Sequence, residues 1–272
     1  MQGLAQVNVE LVRAVAARCP DQRIATIDQD ATIHESHQRE ALAHDEGGRG
    51  YQPMTAVWAE LNLVVADQFR DGNVPASFAP LPVAQAAFAA LPSTVQEYYF
   101  RGDSACHEYD LLRWLRTPTR LNGPAGRIGL AVSARMSPAL AAAIQTLPET
   151  AWQPYIKPGE VADELRDWAD VPFVPSEASE QRDTEPLRYV AVRVRPRQGE
   201  LFADGTAVKH FAVLSNLWDW DGARLLQWHR EKAGTIEHVH DVVKNELAGG
   251  VLPCGRFGAN AAWLRLALLA HN

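Results

Sequence analysis

Apolar and polar positions follow two different periods along this chain, and the switches between them outline a fold. Leu4, Val7, Leu11, Val12 and Val15 recur at helical spacing, so the first segment reads as an amphipathic helix. Residues 23–33 (RIATIDQDATI) lack that period and are rich in Ile and Thr, the pattern of a buried strand. Two more strand candidates, 55–63 and 64–70, run up to the turn Asp71-Gly72-Asn73. An Ala-rich helix over 82–91 leads to a strand over 95–101 that ends near Asp103. Tyr109, Leu112 and Leu115 predict a helix over 107–116, and RIGLAVSA (127–134) predicts a strand. Ser137 and Pro138 are the cap and first residue of another helix.

The character changes beyond residue 150. Pro154, Pro158, Pro172, Pro175, Pro186 and Pro196 interrupt any period, and 176–186 (SEASEQRDTEP) reads as a solvated loop. The run 188–197 (RYVAVRVRPR) alternates apolar with basic, which predicts a half-exposed strand with arginines on one face. A buried strand over 210–215 and a long helix over 219–247 follow, the helix stopped by Gly249-Gly250. Residues 256–272 form a last apolar helix. Together the elements predict an α/β fold: a mixed sheet flanked by helices, with a Pro-rich, partly β insertion before the long helix. The boundaries are a helical arm (1–22), a first sheet segment (23–150), the insertion (151–208) and the rest of the sheet domain (209–272).

Composition narrows the class. A chain of 272 residues with 47% hydrophobic and 22% charged content can bury a substantial core. No apolar run approaches the ~20 residues of a membrane span, so no membrane partner is expected. Cys19, Cys106 and Cys254 form neither a paired framework nor a zinc signature, which fits a reducing cytoplasm. The net charge of −7 argues against a broadly basic surface, although Arg188, Arg193, Arg195 and Arg197 cluster locally.

Three acidic positions offer chemistry. Asp28 and Asp30 lie two apart and share one face of their strand. Asp103 ends another strand, and the carboxyl edge of a sheet commonly holds ligand sites. Glu237 lies on the long helix, with Arg230 seven residues before and Lys244 seven after, all on one face by spacing. Carboxylates from separate elements are what a pair of divalent cations needs. Each also has a plain structural reading: a turn for Asp-x-Asp, an N-cap for Asp103 before Ser104, a solvated face for Glu237. A zinc site on Asp30, His34 and His37 is the rival arrangement. No Gly-x-Ser-x-Gly elbow is present, and the glycines of 47–50 do not lie between a strand and a helix.

Six blocks in order carry a resemblance: 27–41 (IDQDATIHESHQREA), 47–53 (GGRGYQP), 69–73 (FRDGN), 100–115 (FRGDSACHEYDLLRWL), 235–250 (TIEHVHDVVKNELAGG) and 255–272 (GRFGANAAWLRLALLAHN). The chain resembles the bacterial insertion-sequence DDE transposases of the group-1 DDE domain type. That resemblance implies an RNase H-like catalytic core, truncated at both ends. It also implies Asp30, Asp103 and Glu237 as a catalytic triad holding two Mg²⁺ or Mn²⁺ ions. Asp30 rather than Asp28 matches the motif. Lys244 matches a lysine that grips DNA. Arg230 and Ala233 replace a Tyr and an Arg of the helix signature, so Arg230 or Lys232 would supply the missing charge. The implied activity is metal-dependent DNA strand cleavage and strand transfer at insertion-sequence ends. The partners would be transposon-end and target DNA, with a homodimer in the synaptic complex, in the cytoplasm at the nucleoid. An inactive remnant and a metal-dependent nuclease or hydrolase with another substrate are the competing readings.

Overall fold

A computed structural model describes residues 2–155, 164–175, 186–196 and 201–272. The chain separates into two compact units, one built from residues 1–128 and 231–272, the other from 129–230.

The first unit opens with α1 (Gln2–Ala16), whose Val12 and Ala16 are buried. The strands β1 (Ile24–Ala31), β5 (Met54–Trp58), β6 (Leu63–Gln68) and β7 (Glu97–Gly102) form a sheet in the order β6-β5-β1-β7. Strand β1 runs antiparallel to β5 and parallel to β7. A parallel neighbour requires a crossover, and α2 (Leu81–Ala90) provides it between β6 and β7. The tight β5–β6 link places Asn62 at φ 54, a left-handed conformation that Asn tolerates. The short strands β2 (His34–Glu35), β3 (Leu42–Ala43) and β4 (Arg49–Tyr51) make a separate small sheet. After β7 comes α3 (Tyr109–Arg116), capped by the Glu108 carboxylate. This is the mixed sheet with flanking helices that the hydrophobic pattern predicts.

The two faces of this sheet carry different residues. Asp28 and Asp30 project from β1 toward α6 (Lys232–Asp241), where Thr235 and Lys232 meet them. Gln29 projects the other way and bonds the Pro80 carbonyl at the start of α2. On the α6 side a core gathers Tyr51, Val57, Val64 and Phe69 with Ile236, Val239 and Val243, and with Leu264 and Leu268 of α7 (Phe257–His271). The edge strand β6 is stitched by amides. Asn272 accepts from the Val64 N–H at 2.7 Å and donates to the Val64 carbonyl at 2.8 Å, and Asn8 of α1 donates to the same carbonyl.

The second unit is antiparallel throughout. It holds β8 (Ile128–Ser133), β9 (Gln153–Pro154), β10 (Glu164–Val171), β11 (Arg188–Pro196) and β12 (Lys209–Ser215), in the order β8-β12-β11-β10-β9. Among the described residues its α-helices are α4 (Pro138–Gln145), capped by Ser137 as predicted, and α5 (Gly222–Arg230). Gly222 faces the Trp168 ring so closely that a Cβ could not fit.

Three expectations need correction. The long helix over 219–247 is two helices, α5 and α6, with Glu231 between them, followed by a π turn over Val242–Glu246. Strand β10, unforeseen among the prolines, pairs with β11 from Tyr189 to Pro196. Strand β11 is not half-exposed, because Arg188 and Arg193 are buried. Arg188 forks onto Asp170 at 2.6 and 3.0 Å, and Arg193 bonds Asp167 and Glu149. Arg195 also bonds Asp167. These three arginines serve the unit's own carboxylates and do not offset the negative charge toward an outside partner. Most of the stretch expected as a solvated loop lies outside the described residues.

Candidate active site

The parallel register of β1 and β7 pairs Gln29 with Gly102, and one residue further along each strand stand Asp30 and Asp103. Asp30 is half-buried. Its Oδ1 accepts the Ala31 N–H at 2.9 Å, and its Oδ2 receives the Lys232 ammonium at 3.0 Å. Asp103 leaves β7 and caps a single 3-10 turn (Ser104–Cys106), its Oδ1 accepting the Ala105 N–H at 3.0 Å. The capping role read from Asp103-Ser104 is therefore real, and it leaves the carboxyl beside Asp30. Burial raises the Asp103 carboxyl above the ordinary range, and the neighbouring Asp30 charge raises it further, while Lys232 opposes both. Burial alone would lower Lys232, but Asp30 and then Asp103 outweigh it, and the ammonium is held more firmly than usual.

Asp28, two residues earlier, is sealed. Its side chain has no exposure, and Arg101 grips it with Nε at 2.6 Å and Nη2 at 2.9 Å. The Thr235 hydroxyl donates to the same carboxylate. With its oxygens committed to buried donors, Asp28 holds α6 and β7 to β1 and offers nothing to a ligand.

Helix α6 turns Lys232, Ile236 and Val239 inward, with Val243 continuing that stripe beyond its end. His240 lies on this side too. Its imidazole is pushed down to about 4, first by burial and then by Lys244 and Lys232, against the opposing pull of Asp30, and among the described residues its Nε2 has no hydrogen-bond partner. His34 is buried beneath, its Nδ1 3.1 Å from the Gly249 carbonyl, and is pushed to about 3, chiefly by burial and by Lys244. A carbonyl only accepts, so Nδ1 carries the proton. Lys244 bonds the Thr32 hydroxyl, and burial lowers it.

The structure brings Asp30 and Asp103 together but not the whole expected set. Glu237 is exposed on α6. Among the described residues, no three His, Cys, Asp or Glu side chains are gathered to hold a metal ion. Asp30, His34 and His37 form no such group either, and His34 Nδ1 faces the Gly249 carbonyl instead. Lys232, expected on DNA, is instead buried against Asp30. Arg230 is exposed at the end of α5. What the sequence reading missed is the inward role of Lys232. The signal was present: Ile236, Val239 and Val243 mark the buried face, and Lys232 stands one turn before Ile236 on it.

No family model matches this chain, and no curated protein does. Among solved structures it is similar to a piggyBac transposase in a synaptic complex with hairpin DNA. The identity is 10% and the TM-score 0.49, over 96% of this chain and 50% of that one. The chain therefore spans half the length of that transposase. A likeness this distant carries no weight for fold or activity.

Proposed function

We propose that this chain is the catalytic core of a DNA transposase with an RNase H-like fold, which cuts and joins DNA strands at the ends of a mobile element. The observation that carries the reading is the meeting of Asp30 and Asp103 at the ends of adjacent parallel strands, from motifs 73 residues apart. Two carboxylates at a strand edge are hard oxygen donors suited to one Mg²⁺ or Mn²⁺. A second ion on Glu237 has no support in its placement, since Glu237 is exposed on α6 and, among the described residues, no group of three His, Cys, Asp or Glu side chains is gathered.

A divalent ion, when bound, supplies charge neutralisation at a phosphodiester and activation of the attacking oxygen. The chain's own part is positional. Ala31 and Ala105 hold one oxygen of each carboxylate through their main-chain N–H groups, which fixes the aim of both side chains. Lys244, on the same side, is a cation suited to a phosphate oxygen. DNA ends and target would be the substrates, engaged by a homodimer.

The test is cleavage and strand transfer on duplexes bearing the element's terminal repeats, with Mg²⁺ or Mn²⁺. Asp30→Asn and Asp103→Asn should each reduce product by at least ~100-fold. Full activity in either variant overturns the assignment. A second reading, a folded remnant that no longer cuts DNA, is favoured by the exposed Glu237 and by Ala233 in the helix signature. It predicts no cleavage by the unaltered chain, with Glu237→Gln leaving every measurement unchanged.

A further inference from the structure

We propose that Lys232 is a built-in cation of the carboxylate pair, so that a divalent ion enters between Asp30 and Asp103 only by displacing its ammonium. The inference rests on the reading of these aspartates as a cation site, and it adds a competitor that the site carries within its own chain.

The geometry has three parts. Lys232 Nζ lies 3.0 Å from Asp30 Oδ2, and the lysine side chain is 10% exposed against 16% for the aspartate, so the contact is largely shielded from water. Each aspartate already gives one lone pair of Oδ1 to a main-chain N–H, so Oδ2 is the oxygen with more capacity left for a cation. At Asp30 that atom belongs to Lys232. The lysine also sits in the first turn of α6, immediately after the break at Glu231, and Glu231 is itself held by Arg101 at 3.3 Å. Its backbone is anchored on both sides, by Glu231 before and by Thr235 on Asp28 after. The ammonium is thus delivered to the pair by structure and does not wander there as a surface side chain would.

Charge sets the consequence. Two carboxylates and one ammonium leave a residual formal charge of one negative. A divalent ion arriving beside a retained ammonium meets repulsion from a neighbour only a few ångströms away in a poorly solvated site, whereas exchange for the ammonium leaves the pair neutral. Displacement requires the lysine to leave a buried position, so affinity for the ion is reduced by the cost of that move. The chain should therefore bind its divalent ion weakly, and anything that draws Lys232 outward should tighten the site. A DNA phosphate offers such a pull.

Calorimetric titration of the purified full chain with Mn²⁺ alone tests this without reference to DNA cutting. Lys232→Met keeps the stem and removes the charge. It should bind Mn²⁺ at least ~10-fold more tightly than the unaltered chain, while Lys232→Arg, which restores a cation, should return affinity to the original value. Lys232→Gln serves if the methionine variant does not fold, with thermal unfolding checked for each protein. Equal or weaker Mn²⁺ binding in the neutral variants overturns the proposal, as does tight binding in the arginine variant. The transposase reading fails separately: should the neutral variants tighten Mn²⁺ binding while no protein cuts DNA, the lysine's role stands and the enzymatic reading falls. Asp30→Asn combined with Asp103→Asn should abolish the titration signal in every background.

Discussion

Asp28 and Asp30 stand two residues apart on β1, face the same helix and each hold a basic side chain, yet their surroundings suit them to opposite tasks. Asp28 lies in the middle of the strand, where neighbours exist on every side. Arg101 from β7 and Thr235 from α6 close over it, and no exposure remains. Asp30 lies near the strand end, where β7 has finished pairing and Asp103 turns away. Its carboxylate keeps partial exposure and takes a single lysine, whose flexible ammonium is a point charge where Arg101 is a rigid fork. A carboxylate in the sheet's interior becomes a clasp. One at the sheet's margin becomes available for chemistry.

The contrast can be broken most sharply at Arg101. Arg101→Met leaves Asp28 charged and buried without its partner, which should cost about 3–5 kcal/mol in urea unfolding. Asp28→Asn in the same background should recover much of that loss. A cost under ~1 kcal/mol would show that Asp28 is not a clasp. The acid limb of stability comes next. His34 is neutral in the fold, with its pKa depressed to about 3, so the unfolded chain binds the proton first. Stability is full above about pH 6.5 and falls as pH drops toward 3, by about 2–3 kcal/mol on reaching pH 4.5. The raised Asp103 carboxyl works in the opposite sense, since its folded form gains a proton more readily. Comparing pH slopes of the unaltered chain and His34→Asn isolates the imidazole, and unchanged slopes would refute its part. Thr235→Val removes a hydroxyl donor from a buried charge and should cost about 2 kcal/mol. A smaller stability effect belongs to Asp30→Asn, about 1–2 kcal/mol, because the amide oxygen still accepts from Lys232 and the Asp103 carboxylate still faces the shielded ammonium. The same substitution should remove DNA cleavage. A large stability loss here would make Asp30 a clasp like Asp28.

The strands of the first unit were legible because β-branched runs such as residues 24–27 fit a buried sheet and little else. Asp30 and Asp103 were legible as strand-end carboxylates, and the register that sets them side by side follows from pairing that no local pattern encodes. Helix α6 was legible as a helix, and its apolar stripe Ile236, Val239 and Val243 marked the inward face, but the spacing of its charges pointed elsewhere. A spacing of seven drew attention to Arg230, Glu237 and Lys244, whereas the buried stripe of α6 runs through Lys232 and Ile236. The arginines of β11 misled for a related reason. Alternating apolar and basic residues usually mark a wet face, but Asp167, Asp170 and Glu149 come from other elements to neutralise them. Long-range charge pairing leaves no trace in periodicity.

The amide stitching at Val64 has a consequence for crowded solutions. An outermost strand with open N–H and carbonyl groups is a template on which a second molecule can add its own backbone and begin an aggregate. Here the side chains of Asn8 and Asn272 mimic that incoming backbone and satisfy the position first. Replacing Asn272 with leucine would reopen the template, and the penalty would surface as turbidity at high concentration before it registered in any assay of the site.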